Sequence, residues 1–166
     1  MEKNKHPYYT DGAFSRLLAE YLKYDTLYIA FDFDNTIWNY DIYKDDYVYE
    51  YDDIDGYRNY GKEYRTNAIH WDIVNLLEGC KKIGLKLCLW TSCPKKEDED
   101  SKVEICKQLG IEPDYINWSP LSPGATKPHF SLLLDDRAGL ESAVNMLSKL
   151  LIIIGIFSKA NKYIKN

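Results

Sequence analysis

The sequence predicts a single α/β domain built around a mostly parallel sheet. Apolar runs of strand length alternate along the chain with segments whose apolar residues recur at helical spacing, and several of the strand-like runs end directly in polar or acidic residues. With 166 residues, the chain is long enough to bury one core but leaves little length for a second. We therefore expect one Rossmann-like, three-layer domain over residues 1–166.

The first half of the chain supplies two helices and two strands of this pattern. Residues 1–24 are expected to form a loose lead followed by a helix from Asp11 to Tyr24, in which apolar residues recur every three or four positions. The apolar run 27–31 is the first strand. A second helical face lies within residues 67–83 and should end at Gly84, and the run 85–91 is the second strand.

The second half repeats the alternation. A charged segment, Lys95 to Asp100, leads into a helix through Val103, Cys106 and Leu109 that should stop at Gly110. Further elements are expected as strands at 115–118 and 130–134, a helix face from Leu140 to Leu151, and a last strand at 152–157.

Residues 39–65 differ from the rest in composition. Tyrosines alternate there with acidic residues, which predicts a hairpin or flap with one face in water. We interpret this segment as a short insertion into the domain.

Charge and cysteine usage narrow the classes of partner and location. With 26 acidic and 21 basic residues the net charge is −5, so the overall field repels nucleic acid and anionic membranes. No signal-peptide core is present near Met1, and the longest apolar run, 150–157, is too short to span a membrane. The four cysteines lack paired or metal-binding spacing and are expected to be reduced thiols, so a cytoplasmic location is expected.

Two carboxylates stand out as candidate functional groups. Asp32 and Asp34 follow the first strand two residues apart, and the alternation of side chains along a strand directs both to one side at its carboxyl end. Open α/β sheets bind their ligands at this edge. Two acids ending a buried strand have little structural reason to be there, which favours a functional role.

The pattern Asp32-x-Asp34-x-Thr36 after an apolar strand resembles the first motif of the haloacid dehalogenase-like (HAD) phosphohydrolase superfamily. Three further features follow in the order of that family's other motifs: Thr91 at the end of the second strand, Lys127 after a loop, and the pair Asp135-Asp136 at the end of a strand. The resemblance covers roughly residues 27–150. Asn35 stands where many members have glycine, and asparagine also adopts left-handed conformations.

The resemblance implies a magnesium-dependent phosphatase. Asp32 would attack phosphorus to form an aspartyl phosphate, and Asp34 would act as acid toward the leaving oxygen and then as base toward water. The site residues that it implies are Thr91, Ser92 and Lys127 for phosphate, and Asp32, Asp34 (through its backbone carbonyl) and one or both of Asp135 and Asp136 for Mg²⁺.

The spacing of the motifs bears on the substrate. About 55 residues separate the first motif from the second, and about 36 separate the second from the third. Neither interval holds a full cap domain. The family resemblance extends to small phosphatases of bacteria and their phages. The acidity of the tyrosine-rich segment favours a small phosphate ester over a nucleic-acid strand, with a nucleoside monophosphate as the leading class because the tyrosines could stack a base, and a homodimer is compatible with the resemblance.

Three alternatives stay open at the level of sequence. The motif ending in Asp135-Asp136 also resembles the phosphatase part of polynucleotide end-healing enzymes, which would act on a 3′-phosphate end. A phospho-accepting receiver domain would also use an early acidic pair, Thr91 and Lys127, but its acceptor aspartate should end an apolar strand, which Asp52 and Asp53 do not. An inactive HAD scaffold acting as a binding module is the third.

Overall fold

A parallel sheet lies at the centre of the structure, a computed structural model that describes residues 11–39, 69–124 and 129–164. The described strands are β1 (Tyr28–Phe31), β2 (Lys86–Leu89), β3 (Tyr115–Ile116) and β4 (Leu132–Leu134). They form one four-stranded sheet in the order β3-β2-β1-β4, and every pair of neighbours is parallel. The predicted α/β class and parallel sheet are therefore confirmed.

β1 is an interior strand because it has a hydrogen-bonded neighbour on each side. Ile29 is in register with Leu87 of β2 and with Leu132 of β4. Ile29, Ala30 and Phe31 are fully buried. An unbroken apolar run is what a strand covered on both faces requires, so the sequence of β1 fits its central place.

Four helices are described: α1 (Asp11–Tyr24), α2 (Trp71–Lys82), α3 (Lys96–Gln108) and α4 (Leu140–Ile164). α1 has the predicted bounds. After α2 and after α3 the chain turns at a glycine, Gly84 and Gly110, with φ of 86° and 76°. Glycine adopts these left-handed angles without steric cost, so both predicted helix stops are confirmed.

One hydrophobic core joins the helices to one face of the sheet. Alternate strand residues such as Phe31, Leu89 and Leu134 form a single cluster with Leu77 of α2 and Leu147 of α4, to which α1 and α3 also contribute. α4 packs against α2, β4 and α1, and α2 packs against β2. This packing fixes the strands relative to one another and hence the loops at their carboxyl ends.

The opposite face of the strands carries small and aromatic side chains. Ala30 and Cys88 are in register there and fully buried. Aromatic rings associate in pairs around them, with centroid separations of 6.1 Å for Tyr28 and Tyr115 and 5.6 Å for Trp90 and Phe130. All four cysteine thiols are free, and three of them are buried.

The predicted last strand at 152–157 is wrong, because these residues continue α4. Ile154 is 3% exposed, whereas Ile152 and Ile156 are 63% and 61% exposed. Positions two apart share a face in a strand, but they point in different directions in a helix. The run is short and apolar throughout, so its periodicity could not distinguish the two, and Gly155 does not break the helix.

Three predicted features lie outside the described residues: the loose lead at 1–10, the tyrosine-rich segment from residue 40 onward, and Lys127. Among the helices that the structure describes, none is long and apolar enough to cross a membrane.

Substitutions in α4 test the corrected boundary. We expect Ile154→Ala to lower the free energy of unfolding by about 2–4 kcal/mol because it leaves a cavity in the core, and Ile152→Ala to change it by less than about 0.5 kcal/mol. Chemical denaturation of the two variants measures this. Equal losses at both positions would contradict the helix and favour a strand.

Candidate active site at the carboxyl edge of β1

Asp32 lies where the strand order of the sheet reverses. The next strand along the chain, β2, is on one side of β1, and β4 is on the other. Asp32 follows β1 directly, and its backbone N–H donates to the carbonyl of Leu134 at 2.9 Å. Open α/β sheets bind ligands at such a reversal, beyond the carboxyl ends of the strands, and the half-buried Asp32 lies at this point of the sheet.

A tight loop after β1 carries Asp34. Asn35 has φ of 58°, a left-handed conformation that asparagine tolerates, and its N–H donates to the Trp38 carbonyl at 2.7 Å. The N–H groups of Ile37 and Trp38 both donate to the Phe33 carbonyl, at 2.9 and 3.0 Å. These backbone bonds hold Asp34 in a fixed turn.

Thr36 joins this loop to the loop after β4. Its side chain is fully buried, and its Oγ1 accepts a hydrogen bond from the Asp136 backbone N–H at 3.1 Å. In the same loop, the Asp135 carboxylate accepts the Arg137 N–H at 2.8 Å. The first and last sequence motifs, 100 residues apart, are thus in direct contact.

The electrostatics of Asp32 reflect this crowding of acids. The pKa of Asp32 is raised to about 6, chiefly by burial and also by the negative charges of Asp34 and Asp135, while a hydrogen bond from the Phe33 backbone and the charge of Lys102 act in the opposite direction. Of the two acids after β4, Asp135 is therefore the one whose charge acts on Asp32. Asp136 is exposed.

Thr91 enters the site from the end of β2. It is 6% exposed, and its backbone N–H donates to Oδ1 of Asn117 at 2.9 Å. Asn117 follows β3 in a left-handed conformation, with φ of 48°, and its Nδ2 donates to the Glu99 carboxylate of α3 at 2.9 Å. Ser92, the next residue after Thr91, is exposed.

Lys102 of α3 is a site residue that the sequence analysis missed. Its side chain is buried, with the residue 4% exposed, and its Nζ donates to Asp34 Oδ2 at 2.7 Å and to Thr91 Oγ1 at 2.9 Å. Burial by itself lowers the pKa of this ammonium. Hydrogen bonding and charge attraction to Asp34, together with Cys93, outweigh burial, so its pKa lies above the ordinary value and Lys102 stays charged.

A signal for Lys102 was present in the sequence. The acidic and basic run 95–100 indicates a solvated helix start, but Lys102 lies three and four positions before Ile105 and Cys106, which are buried. A lysine on the apolar stripe of a helix is unusual, because its charge must find a partner in the interior.

The oxygen donors of this edge fit Mg²⁺. In the described part of the chain, no three His, Cys, Asp or Glu side chains lie close enough together to hold a metal ion. Magnesium needs fewer, since it is commonly bound by one or two carboxylates with waters and substrate phosphate. Asp32 and Asp135 offer such carboxylates, and a bound cation would offset the charge of Asp135, which adds to the effect of burial in raising the pKa of Asp32.

Comparisons with known proteins identify no relative. No protein-family model, no curated protein and no solved structure matches this chain.

The raised pKa of Asp32 predicts a pH-dependent stability. A charged Asp32 lowers the free energy of unfolding of the wild type relative to Asp32→Asn, because the raised pKa means that the fold disfavours the charged form. This loss of stability is absent below pH 3.8, grows as the pH rises to about 6, and is complete above that pH. We expect Asp32→Asn to stabilise the metal-free protein at pH 8 by on the order of 1 kcal/mol, allowing for solvent screening of a half-buried group.

Thermal unfolding in chelator at pH 4 and pH 8 measures this difference, with Asp25→Asn as the matched control. Asp25 is exposed and has a left-handed φ of 55°, which asparagine accommodates. An Asp32→Asn effect that is the same at both pH values would contradict the assignment.

Thr36 allows a second test of the site's construction. Thr36→Val keeps the shape but leaves the Asp136 N–H without its acceptor, so we expect a loss of about 1 kcal/mol in unfolding free energy. Thr36→Ser keeps the oxygen and should retain that hydrogen bond. Faster hydrogen exchange of the Asp136 amide in the valine variant alone is the expected readout, and equal exchange in both variants would contradict it.

Proposed function

We propose that this protein is a magnesium-dependent phosphomonoester hydrolase of the HAD type, acting through an aspartyl phosphate on a small phosphate ester such as a nucleoside monophosphate. The observation that carries the proposal is the convergence of Asp32, Asp34, Thr91 and Asp135 from the ends of β1, β2 and β4 at one edge of the sheet. The order of these residues along the chain is that of the HAD motifs.

The chemistry of phosphate monoesters explains why such a set is useful. Hydrolysis is among the slowest uncatalysed reactions, because an anionic ester repels nucleophiles and the alkoxide leaves poorly. A catalyst must offset charge, supply a nucleophile and protonate the leaving oxygen. Asp32, Asp34 and the hydrogen-bond donors around Thr91 match these three tasks.

The proposed reaction has two steps. A carboxylate oxygen of Asp32 bonds to phosphorus while the bond from phosphorus to the ester oxygen breaks, and that oxygen takes a proton from Asp34. Water then attacks phosphorus, Asp34 accepts a proton from it, and the bond from phosphorus to Asp32 breaks, which releases inorganic phosphate and restores both acids.

Charge compensation divides between the metal and the protein. Mg²⁺, when bound, would polarise the phosphoryl oxygens and offset their charge. Within the described residues, the Lys102 ammonium is hydrogen bonded to Asp34 and offsets the charge that Asp34 carries once its proton has passed to the leaving oxygen. Lys127, in the position of the family's lysine motif, stays a prediction because it lies outside the described residues.

The charge of the chain favours a small substrate. Phosphate contacts with basic side chains supply most of the affinity for a nucleic-acid strand, and a net charge of −5 opposes that mode of binding. A polynucleotide 3′-phosphate end is therefore the second substrate to test.

The test is release of inorganic phosphate from a panel of esters: nucleoside 5′- and 3′-monophosphates, p-nitrophenyl phosphate and a 3′-phosphorylated oligonucleotide. We expect turnover by the wild type that requires Mg²⁺, and a loss of at least about 10³-fold in Asp32→Asn, because the amide is a poor nucleophile.

Asp25→Asn, at the opposite end of β1, should keep wild-type turnover and controls for the chemical change itself. If only the oligonucleotide is hydrolysed, the substrate is a polynucleotide 3′-phosphate end and not a small ester. Absence of turnover on every ester, or equal turnover in Asp32→Asn, would refute the proposed reaction.

A further inference from the structure

We infer that Lys102 is a positioning residue that fixes the hydroxyl of Thr91 as a hydrogen-bond donor toward the phosphoryl group and holds Asp34 beside it. This inference rests on the proposed function. It concerns a residue of α3 that lies outside all the sequence motifs.

The hydrogen bond between Lys102 and Thr91 determines which way the Thr91 hydroxyl can donate. A lysine ammonium has hydrogens to donate and no lone pair, so Thr91 Oγ1 must accept the 2.9 Å bond from Lys102 Nζ. The single hydrogen of the Thr91 hydroxyl then cannot point at Lys102 and is left for another acceptor. A phosphoryl oxygen is the acceptor that the proposed reaction brings to the end of β2.

The backbone of Thr91 is fixed as well. Its N–H donates to Asn117 Oδ1 at 2.9 Å, and Asn117 is itself bonded to Glu99 of α3. α3 therefore holds Thr91 in two ways, through Lys102 at the side chain and through Glu99 and Asn117 at the main chain. A hydroxyl that accepts from a cation is also a stronger donor, since hydrogen bonds in a chain polarise one another.

The same ammonium sets the position of Asp34. Asp34 Oδ2 lies 2.7 Å from Lys102 Nζ. The same nitrogen atom therefore contacts both the proposed acid, Asp34, and Thr91, the proposed hydrogen-bond donor to the phosphoryl group. Asp34 and Thr91 belong to loops after different strands, and this shared partner joins them. Correct mutual geometry of the reacting groups accounts for a large part of enzymatic rate enhancement.

Stability alone does not explain a lysine at this place. Buried ion pairs often contribute little to stability, because desolvation of both charges offsets their attraction, and apolar residues of similar volume often replace them without loss. The site of Lys102 is partly apolar, with Nζ 5.5 Å from the centroid of the Phe33 ring. Methionine would fill much of the same space without the charge.

The experiment compares Lys102→Met with Lys107→Met, an exposed lysine of the same helix. On the best ester of the panel, we expect Lys102→Met to lower kcat by ~30-fold or more and to raise KM by ~10-fold, because the oriented donor binds the phosphoryl group in the ground state and more strongly in the transition state. Lys107→Met should match the wild type in both constants.

A double-variant cycle with Thr91→Val separates positioning from general damage. If Lys102 acts through Thr91, then Lys102→Met should cost clearly less in a Thr91→Val background than in the wild type. Equal costs in both backgrounds, or equal kinetics of Lys102→Met and Lys107→Met, would overturn the inference. If Lys102→Met does not fold, the variants Thr91→Ser and Thr91→Val provide the test instead. Thr91→Ser should keep turnover and Thr91→Val should lose it. Equal turnover in both would overturn the inference.

Binding of inorganic phosphate, measured by calorimetry without and with Mg²⁺, gives a readout that does not need turnover. We expect Lys102→Met to bind phosphate at least ~10-fold more weakly than Lys107→Met does, because the loss of an oriented donor weakens an anion site. Phosphate binding with this difference but no ester turnover would refute the proposed function and support the positioning role. Wild type that neither binds phosphate nor hydrolyses an ester would overturn both.

Discussion

The interaction on which the site depends is the hydrogen-bonded pair formed by the buried Lys102 and the partly exposed Asp34. Three acids, Asp32, Asp34 and Asp135, lie at the same half-buried sheet edge, where burial and, after it, the charges of Asp34 and Asp135 raise the pKa of Asp32. Charges are costly to bury unless they are paired. The ammonium of Lys102 supplies a pairing partner from within the protein, and its bond to Thr91 extends the same contact to the end of β2.

The edge is held together by contacts between loops. Thr36 joins the loop after β1 to the loop after β4 through the Asp136 N–H, and Asn117 joins the loops after β2 and β3 through Thr91. The sheet brings these loops to one edge because its strands are parallel and β1 lies between β2 and β4. A rigid scaffold with side chains directed from its loop ends is a common basis for binding and catalysis.

Sequence reasoning succeeded where a local rule determined the result. The bounds of α1 and the glycine stops after α2 and α3 each follow from residues within one or two turns of chain. It failed at 152–157, because a short apolar run fits strand and helix equally well. Only the packing of Ile154 against the core, with Ile152 exposed, decided between the two.

The sequence by itself determined that Asp32, Asp34, Thr91 and the acidic pair would follow strands of a parallel sheet, since strand alternation and chain order are local properties. Only the tertiary structure decided that Asp135 is the member of the pair whose charge acts on Asp32, and that Lys102 and Asn117 belong to the site. The physical reason is the separation of these residues along the chain. Lys102 and Asp34 are 68 residues apart, and no local periodicity encodes which loop a helix side chain will contact.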